Sequence, residues 1–499
     1  METKEAFAEL EKIDSKMVLL NHINAVLEWD AETLMKEKAS EERGKQMSYI
    51  SHQIHELLCD DKLESLLGVL KDEDIKDFSD RDKALIREVR KNNRAMKKIP
   101  LDLTMQLTES QNRCQSKWFE TKLTGNWHDF EPYFSEVFEL VKEKAQCLRE
   151  DKDVYDTLLD IYESGMTSSK IEGLFTEMEK SIHNIMEFTQ GKEVDDSFLY
   201  KKYSNEKLKK FSTRILKDMG FDFSRGLTGI AVHPFTTTLG RNDIRITSRF
   251  TDPNVADSLF SYIHEGGHAL YEMGANNKVT KETSLADGAS MGFHESQSRF
   301  WENIVGHSED FWEFYYPEFK DLFPRQLEGI NLKPFLQALN KITPTDIRVN
   351  ADEVTYSLHI ILRFRLEREL FSGNLLIKDL PEAWEEMSLK VLGIKPKDIN
   401  SGVLQDIHWP AGLFGYFPSY AIGNLYNSQI YNTMNKTMDI SSLLRHGNLK
   451  PLKDYLNTNI YQYGAIYKAE DMIKRVTGEP LKVDYFDQYL VNRYKGLYK

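Results

Sequence analysis

Val255-Ala256-Asp257-Ser258-Leu259-Phe260-Ser261-Tyr262-Ile263-His264-Glu265-Gly266-Gly267-His268-Ala269-Leu270-Tyr271-Glu272-Met273 is the stretch around which the chain is organised. Asp252-Pro253-Asn254 precedes it, and Asp and Asn are good caps, so a helix is predicted from about Val255 to Met273. Inside it His264 and His268 stand at i, i+4, one turn apart on the same face. Two imidazoles so placed can both reach one metal ion at about 2.0–2.1 Å. Glu265 projects beside such a site, the position of a general base toward a metal-activated water. The competing reading is a polar helix face with two solvated histidines, because short motifs also arise by chance.

Hydrolytic metal sites use three protein ligands and keep one position open. Glu295, in Gly292-Phe293-His294-Glu295-Ser296-Gln297-Ser298-Arg299, is the third-ligand candidate. The intervening stretch holds Gly274, Asn276, Asn277, Asp287 and Gly288, a loop long enough for a second helix, from near Phe293, to return beside the first. Asp287 and Glu302 are the rivals, and Asp287 reads more as a residue holding a ligand imidazole by its free N–H. Two histidines and a glutamate suit one divalent ion per chain, zinc first, with cobalt or manganese able to occupy similar ligands. His52-Gln53-Ile54-His55-Glu56 also pairs histidines with a carboxylate, but at a spacing of three and with no partner cluster following, so it reads as a polar helix edge.

The 499 residues are 40% hydrophobic and 29% charged, the composition of a soluble globular protein. A net charge of −14 argues against a nucleic-acid partner, which would need a basic face. Three cysteines, Cys59, Cys114 and Cys147, without C-x-x-C spacing fit a reducing compartment and offer no sulfur metal site. Met1-Glu2-Thr3-Lys4-Glu5-Ala6 is charged at once, unlike a signal peptide, and no stretch approaches the ~18 apolar residues of a membrane span. A cytoplasmic protein without membrane contact is expected.

The chain reads as mainly α. Ile13, Met17, Leu20, Ile23 and Leu27 recur at helical spacing within residues 1–35, and 36–66, 72–98 and 130–150 are similar. Pro100 and Gly125-Asn126 separate these helices. Between 241 and 250 the period changes: Asp243, Arg245 and Thr247 alternate with Ile244 and Ile246, a half-buried strand. That strand could pair with the main chain of an extended peptide, or Asp243 and Arg245 could form a structural pair. A further helix is predicted near Pro344-Thr345-Asp346. With no flexible linker, residues 1–499 are read as one unit around a cleft, the first ~150 forming a lobe on one side.

The sequence resembles the thermostable carboxypeptidase family typified by carboxypeptidase Taq, over nearly its whole length. The resemblance rests on Trp29-Asp30 with Thr33 and Met35, and on Tyr155-Asp156 with Leu158-Leu159-Asp160-Ile161-Tyr162-Glu163. It continues through His233-Pro234-Phe235, Asp243-Ile244-Arg245-Ile246-Thr247, the histidine motif and His294-Glu295-Ser296-Gln297. Ile347-Arg348 with Ala351-Asp352, and Gly402-Val403-Leu404-Gln405-Asp406-Ile407-His408-Trp409, complete it. Lys36 departs from the proline expected there. The resemblance implies a two-lobed helical metallopeptidase with a deep groove lined by a small β-sheet. It also implies release of single C-terminal residues from peptides with broad specificity, and a homodimer.

With that resemblance, roles can be assigned. Arg348 becomes the candidate for the free C-terminal carboxylate, which arginine holds through paired N–H···O bonds; otherwise it would read as an ion pair with Asp352. The oxyanion of the tetrahedral intermediate needs a fixed donor, and the loop Gly412-Leu413-Phe414-Gly415-Tyr416-Phe417-Pro418-Ser419-Tyr420 supplies two phenols, Tyr420 first and Tyr416 second. His233, His408 and Gln405 are further substrate contacts. The rival activity is that of an H-E-x-x-H oligopeptidase or dipeptidyl carboxypeptidase, which would also accept amidated peptides. A di-iron carboxylate bundle would require a second E-x-x-H, and the chain has none.

Overall fold

The computed structural model describes residues 2–231, 233–250 and 253–498. It is 67% helical, and its strands form one three-stranded sheet. The predicted helices are present with sharper ends: Thr3–Thr33, Ser40–Cys59 and Asp61–Val69, Asp80–Lys98, and Trp127–Leu148. Gly125 closes the helix Leu101–Thr124 with φ +69°, a left-handed cap that suits glycine. Asn126 then accepts from the backbone N–H of His128 and opens the next helix.

The chain forms two compact units, each assembled from three separate stretches. The first comprises Met1–Lys97, Asp195–Leu339 and Ile430–Pro480; the second comprises Lys98–Val194, Asn340–Gln429 and Leu481–Lys499. Residues 1–150 are thus shared between the two, with the change at Lys97.

In the first unit the helix Val255–Ala275 is buried almost all round: Leu259, Tyr262, Ile263, Ala269, Leu270 and Tyr271 are each at most 1% exposed. The sheet packs against it. Its strands are β1 (Gly226–Ile230), β2 (Thr236–Gly240) and β3 (Asp243–Ser248), in the order β1-β3-β2. β3 runs parallel to β1 and antiparallel to β2. Ile244 and Ile246 point into the core, as the period of two requires. Because β3 is the central strand, its backbone is paired on both sides. This corrects the expectation that it takes up a peptide main chain, since no free edge remains.

Polar side chains of β3 have structural partners instead. Arg245 makes a two-pronged pair with Asp243, at 2.8 and 2.7 Å, and stacks over the ring of Trp29. Thr247 Oγ1 accepts from the backbone N–H of Phe235. Trp29 also lies on Gly229, where a Cβ would stand 2.8 Å from the indole ring. The Trp29, His233-Pro234-Phe235 and 243–247 motifs are therefore parts of one sheet surface.

In the second unit the helix Tyr356–Ser372 is the buried axis. Its Glu367, wholly buried, accepts from Tyr155 Oη at 2.8 Å, Trp409 Nε1 at 2.6 Å and the Gly415 N–H at 2.8 Å. Three distant motif stretches are pinned on one carboxyl group. In place of the helix expected near Pro344-Thr345-Asp346 there is a single 3-10 turn, Arg348–Asn350, and the first α-helix after it begins at Tyr356. Asp352 explains the difference. Its carboxylate accepts from the N–H groups of Thr343, Val354 and Thr355 and from the Thr355 hydroxyl, so the turn is organised there.

Candidate functional site

Asn254 opens the Val255–Ala275 helix, its Oδ1 accepting from the Ala256 N–H at 2.9 Å; Asp252 lies outside the described residues. Four residues apart, His264 and His268 share a face, with ring centroids 4.9 Å apart. The helix Met291–Arg299, capped by Ser290, returns beside them. It brings Glu295 Oε2 to 3.6 Å from His264 Nε2 and 3.4 Å from His268 Nε2. All three donor atoms lie within 4.8 Å of one another. Donors about 2.1 Å from a tetrahedral ion stand about 3.4 Å from each other, so the two nitrogens and one anionic oxygen fit a single zinc-sized cation. Arg299 Nε donates to Glu295 Oε1 at 2.8 Å, which leaves Oε2 facing the imidazoles.

Gly267 permits this return. A Cβ there would stand 2.7 Å from Ser298 Cα and 2.8 Å from the Gln297 carbonyl oxygen, backbone atoms that cannot yield. At Gly266 the first atom met is Leu216 Cδ2, the end of a flexible side chain.

A second layer holds the imidazoles by their free nitrogens. Glu302 Oε2 lies 2.7 Å from His264 Nδ1. It sits on the π-helical segment Phe300–Gly306 that continues from Arg299, the kind of irregular turn that recurs at functional sites. His268 Nδ1 is 2.6 Å from His294 Nδ1, and His294 Nε2 is 2.7 Å from Glu272 Oε1. Thr238 Oγ1 donates to Glu272 Oε2 at 3.0 Å. The second histidine is thus tied through His294 and Glu272 to β2. Of the two rival carboxylates, Glu302 takes the outer position foreseen for Asp287; Asp287 accepts from its neighbour Gly288.

The charges follow from this packing. Burial alone would push the Glu295 carboxyl up, but His264 and Arg299 hold it well below the usual range. Burial opposes charge on His264, yet Glu295 and Glu302 raise it to about 9. His268 is lowered to about 4 by burial and by His294. Burial pushes Glu265 up. Glu265 lies among these groups with Oε2 accepting from Thr236 Oγ1 at 2.6 Å. His233, on the loop entering β2, is exposed.

The remaining predicted residues belong to the second unit. Arg348 is 7% exposed. It pairs with Asp406, not Asp352: Nε and Nη2 both donate to Asp406 Oδ1, at 3.1 and 2.7 Å, and Nη1 donates to Tyr356 Oη at 2.9 Å. The other carboxylate oxygen, Oδ2, accepts from Nε of buried Arg363 at 2.8 Å. Gln405 Oε1 accepts from the Arg348 backbone N–H, while its amide nitrogen donates to the Asp346 and Ser401 carbonyls. His408 Nε2 lies 3.4 Å from Tyr420 Oη, and its ring stacks on Tyr416. Both phenols are half-buried, and the Arg348 guanidinium lies 5.4 Å from the Tyr420 ring.

Two side chains of this architecture have no counterpart in the sequence reading, Thr236 and Glu272, and Glu302 enters it only as a rival third ligand, not as the partner of His264. Glu272 alone carried a signal, standing four residues after His268 on the same helix face.

The chain is 36% identical to carboxypeptidase 1 of Bacillus subtilis over 477 residues, 95% of both chains. It is 34% identical to thermostable carboxypeptidase 1 of Thermus thermophilus over 514 aligned residues, covering both chains fully. The crystal structure of M32 carboxypeptidase from Deinococcus radiodurans R1 superposes with a TM-score of 0.95 at 30% identity, covering 99% of each chain. Residues 9–494 match a family described as carboxypeptidase Taq (M32) metallopeptidase. The chain belongs to the carboxypeptidase Taq (M32) metallopeptidase family.

Proposed function

We infer that the chain is a metal-dependent carboxypeptidase that releases single C-terminal residues from peptides with broad specificity. The observation that carries this reading is the meeting of His264, His268 and Glu295 donor atoms within 4.8 Å, with Glu265 buried on the same helix. These three residues would hold one divalent ion, zinc first, with cobalt or manganese compatible with the same donors. When bound, the ion supplies Lewis-acid polarisation of the scissile carbonyl and acidifies the attacking water.

The chain's own groups perform the remaining work. Glu265 takes a proton from the attacking water and returns one to the leaving amine. Thr236 fixes the carboxylate for this exchange. Tyr420, with Tyr416 as second choice, donates a hydrogen bond to the developing oxyanion. Arg348 binds the terminal carboxylate, and so selects the last peptide bond. His408 and His233 contact the substrate, and Gln405 contributes by holding the backbone of Arg348. A cytoplasmic homodimer with peptide substrates bearing a free C-terminus completes the proposal. No described helix is long and apolar enough to cross a membrane.

The test is a digest of unmodified and C-terminally amidated peptides, with and without chelator, read by mass spectrometry. Stepwise loss of one residue, confined to free carboxyl ends and abolished by chelator, is expected. Cleavage of the amidated peptides would point to an oligopeptidase, and release of dipeptides to a dipeptidyl carboxypeptidase.

A further inference from the structure

Asp406 joins two guanidinium groups, Arg348 on Oδ1 and Arg363 on Oδ2, with N···O distances down to 2.7 and 2.5 Å. All three side chains are nearly or wholly buried, at 9%, 11% and 0% exposure for Arg348, Asp406 and Arg363. No other carboxylate pairs with either arginine among the described residues. Glu367, one turn beyond Arg363 on the same helix, acts on Arg363 electrostatically without an ion pair, so within ion-pair distance two positive charges face one negative. Burying an unbalanced charge is costly unless a counter-ion completes it. Within ion-pair distance the cluster has room for one more anion.

The hydrogen bonds show where that anion fits. A guanidinium has five N–H groups. On Arg348, Nε and one N–H of Nη2 are taken by Asp406, and one N–H of Nη1 by Tyr356. One N–H remains on each terminal nitrogen, the number that a carboxylate accepting with both oxygens needs. Beside them His408 has a buried Nδ1 without a hydrogen-bond partner, 3.9 Å from Asp406 Oδ1.

We propose that Asp406 is a positioning residue for carboxylate recognition: it locks the plane of Arg348 and leaves one N–H free on each terminal nitrogen, while Arg363 holds Asp406 from its other oxygen. This rests on the reading of Arg348 as the group that binds the substrate's terminal carboxylate. Without Asp406 the fork would keep its charge and lose its direction.

The metal-loaded enzyme tests both layers, with an N-acylated dipeptide as substrate and its C-terminal amide as competitive inhibitor. Arg348→Met should raise KM for the acid at least about tenfold, the scale of a hydrogen-bonded charge pair, and leave the amide Ki within about twofold. An unchanged KM there would remove Arg348 from carboxylate binding, whatever Asp406 does. Given that rise, Asp406→Glu keeps every charge but displaces the fork. It should raise KM about tenfold at an unchanged amide Ki and a kcat lowered less than about threefold. Tyr356→Phe, the second variant should Asp406→Glu fail to fold, should raise KM in the same direction by about two- to fivefold. A purely structural Asp406 would weaken acid and amide together. The inference is overturned if Arg348→Met raises KM while both other variants keep the wild-type acid-to-amide ratio.

Discussion

Thr236 Oγ1 stands 2.6 Å from Glu265 Oε2 and 3.1 Å from the Glu265 backbone carbonyl oxygen. A single hydroxyl on β2 therefore touches the proposed base from the sheet side. Glu265→Gln should lower kcat by about 10²–10⁴-fold while leaving bound metal intact. Thr236→Val, which removes the hydroxyl but keeps the shape, should lower kcat by about tenfold, in line with the loss of a hydrogen bond to a charged group. Steady-state kinetics beside metal analysis decides: full activity in Glu265→Gln would take this residue out of the chemistry.

Metal affinity should depend on side chains that never touch the ion. Glu302 engages His264 Nδ1, and His294 engages His268 Nδ1. Orienting partners of this kind are worth about 10–100-fold in affinity. Glu302→Gln and His294→Ala are each expected to weaken binding by about that factor, with activity recovering at excess metal. Competition against a calibrated chelator reads it directly. Wild-type affinity in both variants would show that the ligand imidazoles are held by packing alone.

The reach of the sequence can be judged from these residues. His264, His268 and Glu265 announce themselves because they share one helix, whose period places them without reference to anything else. The companion Glu295 is found by the requirement for a third donor, and the helix Met291–Arg299 does bring it to the two imidazoles. Thr236 stays hidden, a lone polar residue whose partner is set by tertiary packing, and Glu302 is visible only as a rival ligand, since its bond to His264 Nδ1 depends on the same packing. The same holds for β3. Its alternation gives the buried face, but its place between β1 and β2 depends on strands whose pairing no local pattern encodes. Arg348 and Asp352 look like an ion pair one turn apart; instead Asp352 is consumed by backbone N–H groups and the arginine finds Asp406, far along the chain.

Glu367 predicts a pH dependence of stability. Burial, opposed by its bonds from Trp409, Gly415 and Tyr155, raises its carboxyl from 4.5 to about 7. Between those values the folded chain binds more protons than the unfolded one, so stability falls as pH rises from about 4.5 through 7 and then levels. The gap corresponds to about 3 kcal/mol. Glu367→Gln should flatten this part of the profile, at lower stability on the acid side because an amide nitrogen meets a donor. Urea unfolding at pH 5, 6, 7 and 8 measures both; a mutant profile as steep as wild type would assign the slope elsewhere.

Gly267→Ala should cost about 1–3 kcal/mol of stability and weaken metal retention together, because overpacking there separates the helix bearing the histidines from the one bearing Glu295. Gly266→Ala should be milder, since Leu216 can rotate away. Thermal melts with and without added zinc compare the two, and equal losses would contradict this asymmetry.

The two central positions of the histidine motif are therefore unequal in what they permit. One is a tolerance, bounded by a side chain that can step aside; the other is a spacer of zero thickness between two ligand-bearing rods. A side chain at the first position asks one leucine to move, whereas one at the second asks for the neighbouring helix to be rebuilt.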